Sequence, residues 1–196
     1  KLRPELINDV VISPWTQAMV NYNMETPVFD TAEITVASEQ YRDYIFANST
    51  KPIKNELYTF DQAVAGIPCT EFDSINRRTS PGYPDVIEVT KGMKGKTFYF
   101  GNDDEFDLFG TNAIELRERC QKVIDDAAQN IRNEHIFMDS LKDELRPIPK
   151  AMDFKTRLIS ASPIVLLITY RMYFGAFMHW YKVNRIDNQS AIGVNV

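Results

Sequence analysis

The chain has 196 residues, an ordinary apolar content of 44% and a formal net charge of −5. That length can bury a sizeable core in one domain or slightly more, and the composition excludes a disordered or low-complexity chain. An acidic total argues against polyanion binding over the whole surface, yet residues 141–186 carry eight Lys and Arg against three acids, so a +5 region is set in a −10 body.

Pro4, Pro14 and Pro27 punctuate residues 1–28, which read as an N-terminal arm or strap. Lys1 and Arg3 before Pro4 give no signal-peptide pattern. The chain lacks an initiator Met and ends at Val196 in mid-pattern, so it is expected to be a piece of something longer. Asp30 or Thr31 is placed to cap a helix running to about Phe46. Thr59 is placed to cap a short helix, Phe60 to Ala65, that Gly66 closes. The stretch Asn76-Arg77-Arg78-Thr79-Ser80-Pro81-Gly82-Tyr83-Pro84 is a turn-rich loop in which Gly82 admits positive φ and Thr79 and Ser80 supply small donors.

Val86 to Val89 and Phe98 to Phe100 are predicted as short strands, followed by an acidic loop over 101–110. Asn112 with Glu115 predicts a capping-box start for a helix whose apolar positions, among them Leu116, Cys120 and Val123, keep a 3.6 period to about Arg132. Ile136 to Arg146 is predicted as a strand that Leu158 and Ile159 continue, and Ser162 with Pro163 as the start of a second long helix to about Val183. The pattern is α+β. Cys69 and Cys120 lie far apart and read as reduced, packed thiols of a cytosolic protein.

Between Lys142 and Arg157 stand five cations, Lys142, Arg146, Lys150, Lys155 and Arg157, against Asp143, Glu144 and Asp153. Pro147 and Pro149 predict extended backbone, where alternate residues such as Lys155 and Arg157 share a face. Such a ribbon offers a row of donors to phosphate oxygens, a better reading than a solvated charged face because prolines stiffen it and apolar strands flank it. Arg77 and Arg78 beside the Gly82 turn carry a weaker signal. The helix at 163–183 has nearly the length of a membrane span, but Arg171 and His179 within it predict a buried helix, with Gly175 at a close contact. Asp125 and Asp126 read as an exposed helix side. His135 and His179 are too isolated for a metal site or a triad, and no nucleophile–base or carboxylate pair stands out. No complete active site is expected.

Lys142-Asp143-Glu144-Leu145-Arg146, then Lys150, Lys155, Thr156, Arg157, Leu158 and Ile159, closely resembles motif F of picornavirus-like RNA-dependent RNA polymerases. Thr79-Ser80-Pro81-Gly82-Tyr83-Pro84 resembles the family's motif G, and Arg171, Phe174-Gly175 and Ser190-Ala191-Ile192-Gly193 fall where the family has them. The wording at Asn184-Arg185-Ile186-Asp187-Asn188 looks most like the dicistrovirus branch, with iflaviruses next. The resemblance implies the fingers of a right-hand polymerase: an arm at 1–28, fingers at 29–160 with motif G at 79–84 and motif F at 142–159, and a helix at 161–196 leading towards the palm.

By the same resemblance, Arg146, Lys150, Lys155 and Arg157 would meet NTP phosphates, Glu144 would hold an arginine in place, and Thr79, Ser80, Gly82 and Lys142 would follow the template RNA. The metal-binding carboxylates of motifs A and C are expected beyond this stretch, so Mg2+ or Mn2+ would serve the parent enzyme with no ligand here. Phe100-Gly101-Asn102-Asp103-Asp104 looks like the family's Gly-Asp-Asp loop, but Asn102 breaks that motif and marks it as a decoy. Implied partners are template and product RNA, NTPs, the palm and thumb, a protein primer and other viral replication proteins. The implied location is the host cytoplasm at membrane-associated replication complexes. Two rivals remain: a non-catalytic single-stranded RNA-binding module, and a membrane-docking fragment using helix 163–183.

Overall fold

The computed structural model of the protein describes residues 5–7, 10–20, 25–89, 93–143, 145, 147–152 and 156–190. In chain order its elements are β1 (Glu5–Ile7), β2 (Val10–Ile12), α1 (Pro14–Val20), α2 (Thr31–Asn48), α3 (Phe60–Ala65), the single turns α4 (Asp85–Glu88) and α5 (Thr97–Phe100), α6 (Thr111–Ala128), β3 (Met138–Leu141), α7 (Ile148–Met152), β4 (Leu158–Ala161) and α8 (Ile164–Val183). They group into two discontinuous units, 1–28 with 137–161 and 29–136 with 162–196, where the sequence suggests a linear division.

The first unit holds two antiparallel hairpins. Glu5 lies opposite Ile12 in β1–β2, and Met138 lies opposite Ala161 in β3–β4. The stretch expected as an arm thus contains a hairpin and the seven-residue α1. Motif F is not extended throughout, as its prolines suggested: Ile148–Met152 forms α7. Pro149 falls in the first turn, where a helix has no acceptor for the missing N–H, so proline is tolerated there.

In the second unit α8 is the axis. Its Ile164, Val165 and Ile168 pack with Phe60, Ala63 and Val64 of α3, Ala113, Leu116 and Cys120 of α6, and Tyr99 and Phe100 of α5. A smaller cluster joins Tyr58, Phe72 and Ala176. Gly175 makes the close contact its position predicts, since a Cβ there would lie 2.5 Å from the Tyr58 ring. Arg171 is accounted for by packing: Nε donates to the Ala63 carbonyl at 2.6 Å, and the guanidinium lies 4.2 Å over the Phe72 ring. No helix among the described residues is long and apolar enough to cross a membrane.

Capping follows expectation at two helices. The Asp30 carboxylate accepts from the Ala32 N–H at 2.6 Å, and Thr59 with Gln62 forms a full capping box closed by Gly66 at φ +76°. It departs from expectation at the other two long ones. Helix α6 is capped by Gly110, and the Asn112 amide instead donates to the Phe98 carbonyl at 2.9 Å. It stops at Ala128, where Asn130 turns to φ 60°. Pro163 takes the N-cap of α8 in place of Ser162 and offers no side-chain bond.

Of the stretches expected as strands, 86–89 and 98–100, residues 86–88 and 98–100 lie in helical turns, and Val89 is the extended C-cap of the first. Val86 N–H bonds the Gly82 carbonyl and Gly101 N–H the Thr97 carbonyl, so local acceptors satisfy a backbone that as a short strand would need an edge to pair with. Cys120 is buried as expected, which pushes its thiol up to about 12, but Cys69 is exposed.

Asp85, 1% exposed, joins α4 to both neighbouring elements. Arg119 on α6 grips its carboxylate with two bonds of 2.6 and 3.1 Å, and the Tyr99 hydroxyl of α5 donates at 2.5 Å. The bonds to Asp85 raise the Arg119 guanidinium above its ordinary value, and burial, reinforced by Asp85, raises the Tyr99 phenol. Breaking a fully buried pair costs about 3–5 kcal/mol. The Arg119 side chain is about a third exposed, which screens the charge, so Asp85→Asn is expected to lower stability by about 2–4 kcal/mol. Urea unfolding checks this, with Lys122→Ala, which removes an exposed pair to Asp126, leaving the midpoint unmoved.

Candidate functional site

The loop at 76–84 is shaped by its own polar atoms and by one cation, Lys96, arriving from outside it. Asn76 starts the turn: its carbonyl accepts from the Thr79 N–H at 3.3 Å and the Thr79 hydroxyl at 2.8 Å, and its side-chain oxygen accepts from the Arg78 N–H at 3.0 Å. Gly82 N–H donates to the Ser80 hydroxyl oxygen at 3.1 Å. Gly82 has φ +78°, and a Cβ there would sit 2.2 Å from the Ser162 carbonyl oxygen. A valine at 82 would therefore disturb the α8 entry as well as the loop.

Lys96 lies beneath this turn and is 4% exposed. Its ammonium donates to the Thr79 carbonyl at 3.2 Å, the Ser80 carbonyl at 2.8 Å and the Thr79 hydroxyl, while its own N–H bonds the Arg77 carbonyl at 2.6 Å. Burial pulls its ammonium down to about 8. Arg77 does similar work on the neighbouring acidic loop: its guanidinium donates to the carbonyls of Phe100, Gly101, Asp103 and Glu105. That loop carries Asp103, Asp104 and Glu105 exposed. No group of three or more His, Cys, Asp or Glu among the described residues is placed to hold a metal ion.

The cation stretch belongs to the β3–β4 hairpin. Leu141 lies opposite Leu158, and Lys142 N–H continues the ladder by bonding the Arg157 carbonyl at 2.9 Å. Residues 142–157 thus leave and return at one point, with Lys142 half-buried and Arg157 exposed at the two ends. Lys150 falls in α7. Glu144, Arg146 and Lys155 lie outside the described residues, as do Ala191, Ile192 and Gly193. His135 and His179 are apart; the His179 ring pairs with the Tyr58 hydroxyl at 3.2 Å.

A family model described as viral RNA-dependent RNA polymerase matches residues 16–196. The chain belongs to that family. Its relatives include the replicase polyprotein of Drosophila C virus (strain EB), 33% identical over 200 residues, which span 100% of this chain and 11% of that polyprotein. The replicase polyprotein of cricket paralysis virus is 31% identical over 199 residues, 99% of this chain and 11% of the polyprotein. Both are dicistroviruses, in line with the branch suggested by 184–188. Among solved structures, a Sicinivirus 3Dpol RNA-dependent RNA polymerase shares the fold with a TM-score of 0.66 at 22% identity, over 94% of this chain and 35% of that one. The chain therefore spans about a ninth of the curated polyproteins and about a third of the solved enzyme.

The residues that hold the 76–84 loop and its exit, Lys96 and the Asp85–Arg119 pair, are not legible in the sequence. A lone Lys in the Lys94-Gly95-Lys96 run looks like surface charge. The available clue was Gly95, whose φ of +59° lets the turn approach the Thr79 carbonyl. The depressed Lys96 ammonium also has a measurable consequence. Between about pH 8 and its ordinary 10.5 the unfolded state holds a proton that the folded state has lost, so this group's contribution to stability rises with pH across that window. The stability difference between wild type and Lys96→Met is expected to shift in favour of wild type from pH 8 to 10.5, read from urea midpoints at a series of pH values.

Proposed function

We propose that this chain is the fingers part of an RNA-directed RNA polymerase that replicates a positive-strand viral RNA genome. In this reading Arg146, Lys150, Lys155 and Arg157 meet the phosphates of the incoming NTP, and Glu144 orients one of the arginines. Thr79, Ser80, Gly82 and Lys142 follow the template strand. The observation that carries it is the bond from Lys142 N–H to the Arg157 carbonyl, which gathers every candidate cation of motif F into one loop held at its base. Cations spaced along such a loop suit a triphosphate, and a guanidinium engages two phosphate oxygens at once.

Nucleotidyl transfer of this class uses Mg2+ or Mn2+, and the described residues contain no cluster suited to hold either. The part this reading assigns to the chain is binding and orientation of phosphates and template. Its partners are template and product RNA, NTPs, the palm and thumb, and, through the parent polyprotein, a protein primer and other replication proteins. The place of action is the host cytoplasm at membrane-associated replication complexes.

Arg157→Ala in the polymerase that carries this chain is expected to raise the KM for NTP about tenfold or more and to lower turnover, with RNA affinity within about twofold. Steady-state incorporation on a primed template, with RNA binding measured separately, checks this. Loss of RNA affinity at unchanged KM would instead make the ribbon an RNA-binding element.

A further inference from the structure

We propose that Lys96 is a positioning residue for template binding, acting from inside the fold by turning the motif G peptide planes so that Ser80 presents its donors to a template phosphate. The inference rests on the template reading of residues 79–82 given above and adds to it which atoms make the contact and what holds them.

The N–H groups of Arg78, Thr79 and Gly82 bond inside the loop, to the Asn76 side chain, the Asn76 carbonyl and the Ser80 hydroxyl oxygen. Pro81 has none. Ser80 N–H is the one donor from 78 to 82 without a partner among the described residues. The Ser80 hydroxyl accepts from Gly82 but donates to no group among them, so its hydrogen is also free to turn.

The acceptors run the other way. The carbonyls of Arg77, Thr79 and Ser80 all accept from Lys96, the first from its backbone and the other two from its ammonium. Across a planar trans peptide the C=O and the next N–H point in opposite directions. Drawing the Thr79 carbonyl down to Lys96 therefore aims the Ser80 N–H away from the buried side. The Thr79 hydroxyl is committed inward twice, to the Asn76 carbonyl and to Lys96. Of the two hydroxyls in the motif, Ser80 faces the ligand and Thr79 ties the loop to its support.

Two adjacent donors, an N–H and an O–H on one residue, suit the non-bridging oxygens of a phosphodiester, which carry no sequence information. Arg78, exposed on the same turn, adds positive charge. Gly95 makes the arrangement sterically possible: a Cβ there would lie 2.2 Å from the Thr79 carbonyl oxygen, so a side chain would push the turn off its ammonium.

The test uses the polymerase that carries this chain, a short single-stranded RNA as probe, and the variants Lys96→Met, Ser80→Ala and the double. Thermal melts establish that each is folded; where Lys96→Met is not, Lys96→Gln takes its place. Lys96→Met is expected to weaken RNA binding about tenfold, and Ser80→Ala about threefold, with the KM for NTP changed less than twofold. Because the two act on one contact, Ser80→Ala is expected to have no further effect on RNA affinity in the Lys96→Met background. Independent, multiplying effects would overturn the proposal, since a merely structural lysine would leave the Ser80 contact worth the same. Weakening by Ser80→Ala with Lys96→Met unchanged would overturn the role of Lys96 and leave the template reading standing. No effect of Ser80→Ala or Lys96→Met on RNA affinity would overturn the template reading of the loop itself.

Discussion

The second unit depends on how a carboxylate with almost no access to water is supplied with hydrogen-bond donors. Asp85 sits at the start of α4, one residue after the motif G stretch ends at Pro84, and takes two guanidinium bonds from Arg119 and one hydroxyl bond from Tyr99. A buried carboxylate without such partners would be costly to keep ionised, so the loop's exit is fixed only where α5 and α6 present both donors together. Helix α6 is in turn positioned by Ala113, Leu116 and Cys120 against α8. The apolar core therefore determines where a polar tether is available, and the tether determines where the motif G loop leaves the fold.

The same logic governs the irregular backbone nearby. Loops at 76–84 and 100–105 have few ladder partners, and their carbonyls need donors from elsewhere. Arg77 supplies four carbonyls of one loop and Lys96 three oxygens of the other through its side chain. A guanidinium and an ammonium can do this because both are donor-only groups with several hydrogens. The cost is desolvation, visible in the lowered Lys96 ammonium. These two loops are ordered from within by cations, which leaves their outward face available for a ligand.

Much of this was legible from sequence, and the exceptions share a cause. Asp30, Thr59 and Gly66 act locally, so helix signals at α2 and α3 were readable within a few residues. The motif F cations stood out because they are many, close together and bounded by apolar strand. The turns at 85–88 and 97–100 were misread because a three- or four-residue apolar run has no period, and only the acceptors at Gly82 and Thr97 decide between turn and strand. Asn112 and Ser162 carry good capping side chains, yet Asn112 found a better acceptor in Phe98, and Pro163 occupied the cap position itself. Pro149 was taken as a helix breaker when its place in the first turn made it compatible with α7. Lys96 and Asp85 could not be read, because their partners lie 14 to 34 residues away and nothing in a lone Lys or Asp announces burial.

Cations thus serve this chain in two physically different ways. Lys96, Arg77 and Arg171 lie against backbone carbonyls and work as donors whose charge is largely absorbed by those dipoles. The motif F set, gathered between Lys142 and Arg157, carries a local excess of charge over Asp143, Glu144 and Asp153. A carbonyl-bound cation stabilises one conformation, whereas a stretch in which cations outnumber acids adds a local attraction for anions. In the proposed reading the attraction for phosphates comes from the five cations of 142–157, which the β3–β4 hairpin closes into one loop. Arg171, Lys182 and Arg185, which complete the +5 of 141–186, belong to α8 and the residues just after it.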